Sequence, residues 1–222
     1  MSTSRYGTMS INIKICGITR MEDAESAIDL GVDYIGFVLH KPSKRFSGYD
    51  RIAEIAATIG GRCKKVGVFV NTTPTEVRTL VTQLGLDIAQ LHGDETPGVD
   101  WNDLPFPIWR AVWVTDTGWA PDPDVWPTAD RLVIDHRVGD TYGGGGQPAN
   151  WENAARLSAT YPILLAGGLT PENVHHGLAA VNPQGVDVSS GVESAPGIKD
   201  ASKIRAFVDA VRQATTKNGP QA

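Results

Sequence analysis

Eight short apolar runs rich in β-branched residues alternate along the chain with segments of helical period, and that alternation limits the fold more than any other feature. The runs are INIKIC at 11–16, DYIGFVL at 33–39, KKVGVFV at 64–70, DIAQL at 87–91, IWRAVWV at 108–114, RLVID at 131–135, PILLA at 162–166 and GVDV at 185–188. Between them, apolar residues return at i, i+3, i+4 and i+7, as in Ile52/Ile55/Ala56/Ile59, Val77/Leu80/Val81/Leu84 and Ile204/Phe207/Val208/Val211. Such stripes belong to helices that pack one face on strands. Strict alternation makes the strands parallel and the crossovers right-handed, which leaves an open doubly wound sheet or a closed barrel. Eight strands favour closure. The expected fold is a single α/β domain, a (β/α)8 TIM barrel over residues 11–214, with flexible tails at 1–10 and 215–222.

Helix starts are written locally. Thr19 with Glu22, and Thr73 with Pro74 and Glu76, fit capping boxes, and Thr170-Pro171 places proline at a first helical position. The weakest unit is the fifth helix: WAPDPDVWP at 119–127 holds three prolines, so a short or irregular turn is expected there. The tryptophan-rich stretch 101–126 either packs below the barrel or serves an interface.

Charge narrows the function. A net charge of −5 offers no basic patch for a polynucleotide or an acidic membrane surface, so the expected partner is a small molecule, with no nucleic acid and no membrane. The opening MSTSRYGTMS lacks the charged start and apolar centre of a signal peptide, and no run approaches the roughly 20 apolar residues of a membrane span, so a cytoplasmic protein is expected. Cys16 and Cys63 make neither a disulfide framework nor a zinc pattern, so any role they have is individual.

In a barrel of this kind the reactive groups sit at the C-terminal strand ends. The polar residues there are Cys16-Gly17, His40 to Arg45, Asn71, His92-Gly93-Asp94, Asp135, Gly167-Gly168 and Asp187 to Gly191. AGGLTPENV and VDVSSGVES follow the seventh and eighth runs, and glycine lets backbone N–H groups approach an anion closely. A lone glycine pair more often only relieves a turn. Two such segments in this order point instead to a phosphate cradle built from Gly167, Gly168, Ser190 and Gly191.

KICGIT at 14–19, GFVL at 36–39 with SKR at 43–45, VGVFVN at 66–71, QLHGDE at 90–95, YGGGG at 142–146, and AGGLTPENV with GVDVSSGVE resemble phosphoribosylanthranilate isomerase. The likeness spans residues 11 to about 208, and KICGIT, QLHGDE and DVSSGVE in this order are its most specific part. It implies an isomerase of tryptophan biosynthesis acting on N-(5-phosphoribosyl)anthranilate by an Amadori rearrangement, with no cofactor. By the same resemblance Cys16 is the general base, Asp135 the general acid, Arg45 the partner of the anthranilate carboxylate, and the glycine segments the phosphate site. Two positions depart from the pattern. The loop usually reading GGTG or GGSG reads GGGG at 143–146, and the following FDW reads Ala149-Asn150-Trp151, so looser loop closure is expected there.

The chemistry asks for such residues. An acid must protonate the furanose oxygen to open the sugar, and a base must take the C2′ proton. A free thiol has a pKa of about 8.5, so the site is expected to lower that of Cys16. Lys14, two residues earlier on the same strand face, is expected to stabilise the thiolate. Asp135 must keep a proton, whereas a purely structural aspartate there would cap a turn. His92 is expected to contact substrate or to orient a loop, Asp187 to hold a sugar hydroxyl or a backbone turn, and Asn71 is equally open. His136, His175 and His176 have no partners at metal-ligand spacing, so no metal is expected. A sugar-phosphate epimerase would carry metal-binding histidines, and a dual-substrate aminoaldose isomerase would carry two aspartates in place of Cys16 and Asp135. A non-catalytic phosphate-binding barrel would need none of Cys16, Asp135 and Arg45. Neither tails nor motifs give the oligomeric state, for which a monomer or weak homodimer is expected.

Overall fold

The computed structural model describes residues 11–136 and 150–217. In chain order the strands are β1 (Asn12–Cys16), β2 (Tyr34–Val38), β3 (Lys64–Phe69), β4 (Ile88–Leu91), β5 (Ile108–Thr115), β6 (Gly118–Ala120), β7 (Ala129–Asp135), β8 (Ile163–Leu165) and β9 (Gly185–Val188), followed by a small hairpin of β10 (Glu193–Ala195) and β11 (Ile198–Lys199). The helices are α1 (Met21–Ile28), α2 (Tyr49–Ile59), α3 (Pro74–Gln83), α4 (Trp151–Ser158), α5 (Val174–Val181) and α6 (Ala201–Lys217). Neighbouring strands run β4-β3-β2-β1-β9-β8-β7-β5, and a further β4–β5 pairing closes the ring into an eight-stranded parallel barrel. All eight apolar runs are barrel strands. β6 is the addition: it pairs antiparallel with the end of β5, Thr115 opposite Gly118.

The two-residue strand period sorts side chains into two cores. Ile13, Ile15, Ile35, Phe37, Val112, Val114, Ile134, Leu165 and Val186 point outward and are buried under the helices with Ile52, Ile55, Val77, Val81, Phe207 and Val208. The inward set is smaller. Val66, Ile88, Trp109, Val133 and Leu164 fill the lower barrel, with Ala166 above them at the mouth, and Arg131 lies over the Trp109 and Tyr34 rings, 5.4 and 5.9 Å from their centroids. That plug leaves only the mouth for chemistry.

Three helix starts were expected from local signals, and one forms as written: Thr73 Oγ1 accepts the Glu76 N–H at the start of α3, with Pro74 first in the helix. The Thr19 box does not form. Arg20 caps α1 without a side-chain bond, because the Thr19 hydroxyl donates instead to the Gly197 carbonyl of the β10–β11 hairpin. Thr170-Pro171 opens a turn, and α5 begins three residues later at Val174. α6 continues to Lys217, beyond the boundary expected at 214. Two of the eight strand-plus-connection units carry no α-helix. Single 3-10 turns, Val99–Trp101 and Pro123–Val125, take its place, the second within the proline-rich stretch. Trp101 and Trp126 from these turns are buried against the barrel wall, their ring centroids 5.9 Å apart. That packing answers the question left open over 101–126 for these two rings. No described helix is long and apolar enough to cross a membrane.

Candidate active site

A cleft opens at the C-terminal ends of the barrel strands. Cys16 ends β1 and Asp135 ends β7, and both line it with Arg45, His92, Asp187, Gly167, Gly168 and Ser190. Gly191 lies just behind the lining and has a different task. A Cβ there would stand 2.0 Å from the Leu169 carbonyl oxygen, so the absence of a side chain lets the segment after β9 press against the segment after β8. The two glycine segments are therefore one surface. Gly167 and Gly168 hold φ of 75° and 65°, the left-handed region that glycine enters without strain. Asn71 (φ 55°), expected as an open case, binds loop to loop: its carbonyl Oδ1 accepts the Asp94 N–H and its own N–H donates to Glu95 Oε1.

Cys16 sits in a nest of charges. Lys14 and Asp187 are direct partners in the β1–β9 register, and Lys14 Nζ donates to Asp187 Oδ2 at 2.7 Å inside the barrel. Lys14 and Cys16 also share the space above Gly36: a Cβ on that glycine would lie 2.8 Å from Cys16 Sγ and 3.2 Å from Lys14 Nζ. The shared face expected from strand spacing is present. The direction of the thiol's titration is not the expected one. Burial pushes the Cys16 thiol above its ordinary value; Lys14 and Lys199 pull it down and Asp187 pushes it up, so the cations moderate the rise without reversing it. Burial also works against the Lys14 ammonium, but Asp187 and the Cys16 sulfur outweigh it and hold that ammonium above its usual range.

Asp135 is held on both oxygens. Oδ1 accepts the His136 N–H at 2.7 Å, and Oδ2 lies 3.2 Å from His92 Nε2. His92 is itself placed by Gln90, whose Nε2 is 3.0 Å from its Nδ1. The His92 loop is braced from outside the barrel by Arg110, which is buried and donates to the Leu91 and Gly93 carbonyls at 2.8 and 2.7 Å and to Glu95 Oε2 at 3.1 Å. The guanidinium also stacks 5.0 Å from the Trp126 ring centroid. Gln90, Arg110, Glu193 and Lys199 were not singled out from sequence. For Gln90 a signal existed, since it stands two residues before His92 and faces the same side. For the other three, only the fold brings them to their partners.

Asp187, expected to meet substrate or a turn, spends Oδ2 on Lys14 and keeps its place in the lining. Arg45 forms a bidentate pair with Glu193, both contacts 2.8 Å, from which its guanidinium pKa is raised first by the hydrogen bonds and then by the charge. YGGGG at 142–146 and Ala149 lie outside the described residues. Asn150 caps α4 through the Asn153 N–H, and Trp151 opens that helix.

Comparison with known proteins agrees with this architecture. The family model described as N-(5'phosphoribosyl)anthranilate (PRA) isomerase matches residues 13–210. The N-(5'-phosphoribosyl)anthranilate isomerase of Rubrobacter xylanophilus is 42% identical over 90% of this chain and 98% of its own. Among solved structures, phosphoribosyl anthranilate isomerase from Thermus thermophilus superposes with a TM-score of 0.81 at 35% identity, covering 91% of this chain and 99% of that one. Another phosphoribosyl anthranilate isomerase, solved with reduced 1-(o-carboxyphenylamino)-1-deoxyribulose 5-phosphate, has a TM-score of 0.75 at 29% identity, over 91% and 99% of the two chains.

Proposed function

Because the chain belongs to the N-(5'-phosphoribosyl)anthranilate isomerase family, we propose that Cys16 and Asp135 perform the two proton transfers of that isomerisation across the barrel mouth. The enzyme is an isomerase of tryptophan biosynthesis, converting N-(5-phosphoribosyl)anthranilate to 1-(2-carboxyphenylamino)-1-deoxyribulose 5-phosphate. One observation supports the residue assignment above the others: a thiol and a carboxyl end two barrel strands and line one cleft with a guanidinium and a glycine-lined wall.

In this reading the phosphate rests on Gly167, Gly168 and Ser190, with Gly191 behind them keeping the two segments in contact, and backbone N–H groups and the lack of side chains there suit three anionic oxygens. The ring carboxylate meets Arg45. Asp135, protonated, gives its proton to the furanose oxygen; the C1′–O bond breaks as the anthranilate nitrogen pair forms C1′=N⁺. The Cys16 thiolate then takes the C2′ proton, and the C–H electrons form the C1′=C2′ bond and neutralise the iminium as an enolamine. Ketonisation loses the C2′ hydroxyl proton and gains one at C1′, so the sum is an isomerisation without redox partner. Lys14 compensates the thiolate, and His92 and Asp187 hold the donors in line.

The test supplies freshly generated phosphoribosylanthranilate and follows loss of anthranilate fluorescence. The unaltered protein consumes it, and Cys16→Ala and Asp135→Asn each lose a factor of about 10³ in kcat. An inert unaltered protein, or variants that turn over at its rate, defeats the assignment. A monomer or weak homodimer acting in the cytoplasm completes the reading, and sedimentation at micromolar concentration measures the former.

A further inference from the structure

Arg45 does not enter the mouth alone. Its Nε and Nη2 donate to Oε1 and Oε2 of Glu193 at 2.8 Å each, a side-on pair that takes one edge of the guanidinium. Glu193 is buried and stands directly opposite Lys199 in the β10–β11 register. Lys199 is buried too. Its Nζ donates to Glu193 Oε1 at 3.0 Å and to the carbonyl and Oγ of Ser189 at 3.2 and 3.4 Å, and the Gly197 N–H donates to the same Oε1 at 3.3 Å. The stem of Arg45 lies on Gly17, where a Cβ would stand 2.6 Å from Cδ, so the guanidinium is pinned beside Cys16.

Two cations share one carboxylate in this cluster, and of the two Arg45 lines the cleft, where a further anion can reach it. A guanidinium has a second fork, Nη1 with Nη2, that a second carboxylate can take while the first stays in place. We propose that Glu193, anchored by Lys199, is a positioning residue that presents the end-on edge of Arg45 to the substrate's ring carboxylate, so that the β10–β11 hairpin sets the enzyme's preference for a carboxylated arylamine. The proposal rests on the assignment of that carboxylate to Arg45.

A different geometry would have Glu193 occupy the carboxylate's place and leave when substrate arrives. The two make opposite predictions. If Glu193 positions Arg45, Glu193→Gln weakens carboxylate recognition; if it competes, Glu193→Gln strengthens it.

The experiment measures competitive inhibition by reduced 1-(2-carboxyphenylamino)-1-deoxyribulose 5-phosphate and by its analogue without the ring carboxylate, in the unaltered protein, Glu193→Gln, Glu193→Asp and Arg45→Met. The readout is the ratio of the two inhibition constants. Glu193→Gln is expected to lose about tenfold of the preference for the carboxylated ligand, with kcat within about twofold, and Glu193→Asp to recover part of it. Arg45→Met is expected to lose the preference altogether. A ratio kept or increased in Glu193→Gln overturns the proposal, as does equal weakening of both ligands with a lowered Tm, which marks a purely structural prop. If Arg45→Met keeps the preference, the assignment of the carboxylate to Arg45 fails, and the proposal with it. If Arg45→Met loses it while Glu193→Gln does not, the hairpin's role fails and the assignment stands. Should Glu193→Gln not fold, the double variant Glu193→Gln/Lys199→Met, which removes both buried charges, is read by the same ratio with the same two outcomes.

Discussion

His92 Nε2 lies 3.2 Å from Asp135 Oδ2, and Gln90 Nε2 lies 3.0 Å from the opposite ring nitrogen, so strand ends β4 and β7 are bridged by one line of polar contacts at the mouth. With the Gln90 amide donating to Nδ1, the neutral ring carries its proton on Nε2, the nitrogen that stands beside Asp135. His92 is thereby a holder of the acid. It has no proton left over to give the sugar.

That arrangement sets the size of two losses apart. His92→Ala removes one polar contact to Asp135, and kcat should fall about tenfold. Asp135→Asn removes the donor itself and should cost about 10³ or more. Steady-state kcat for the two variants decides the matter; equal losses would make His92 the donor.

Lys14 works against burial at Cys16. Without it, the thiol moves further up and less thiolate exists at any given pH. In a Cys63→Ala background, where Cys16 is the only thiol, Lys14→Met should shift the iodoacetamide rate profile to higher pH and lower kcat. An unmoved alkylation midpoint contradicts this.

Gly191→Ala places a methyl 2.0 Å from the Leu169 carbonyl oxygen, a backbone atom that cannot swing aside as a side-chain end would. The two glycine segments must then part. Inorganic phosphate, used as an inhibitor, should bind about tenfold more weakly, and KM should rise more than kcat falls. Unchanged phosphate inhibition would separate Gly191 from the phosphate site.

Cys63 is silent in the chemistry but titrates usefully. Burial, first, and then Asp33 and Asp87 push its thiol from 9.0 up to about 11. Between those values the unfolded chain has lost the proton that the folded chain keeps, so stability present below pH 9.0 is lost as pH rises toward about 11. Urea unfolding at several alkaline pH values should show this decline, and Cys63→Ala should flatten it. A decline of equal slope in Cys63→Ala would assign it to other groups.

The barrel was legible because its signal is repeated. Eight runs of period two and the helical stripes between them each report burial on one face, and a single irregular unit, such as the proline-rich fifth crossover, does not change the sum. Cap signals were less reliable for the opposite reason: the Thr19 hydroxyl had a tertiary partner in the Gly197 carbonyl, which removed it from its own helix. In the site, Cys16 and Asp135 could be named from strand ends and family motifs. Glu193 and Lys199 could not, because neither residue type at a hairpin signals burial, and their link to Arg45 crosses 148 residues.

What the sequence by itself determined is the alternation, hence the parallel ring, and hence which residues end strands: Cys16 after KI, His92 after QL, Asp135 after LVI, and glycines after the last two runs. These follow from local periodicity and the handedness of L-residues, which act within a few residues of each position. Only the tertiary structure decided the environments. Whether Cys16 is eased or hindered in losing a proton, which edge of Arg45 is taken, and whether His92 gives or holds a proton depend on charges brought together from β1, β2, β9 and the β10–β11 hairpin. Coulomb and desolvation energies are set by distance in space and by burial, and neither quantity is written in the order of the residues.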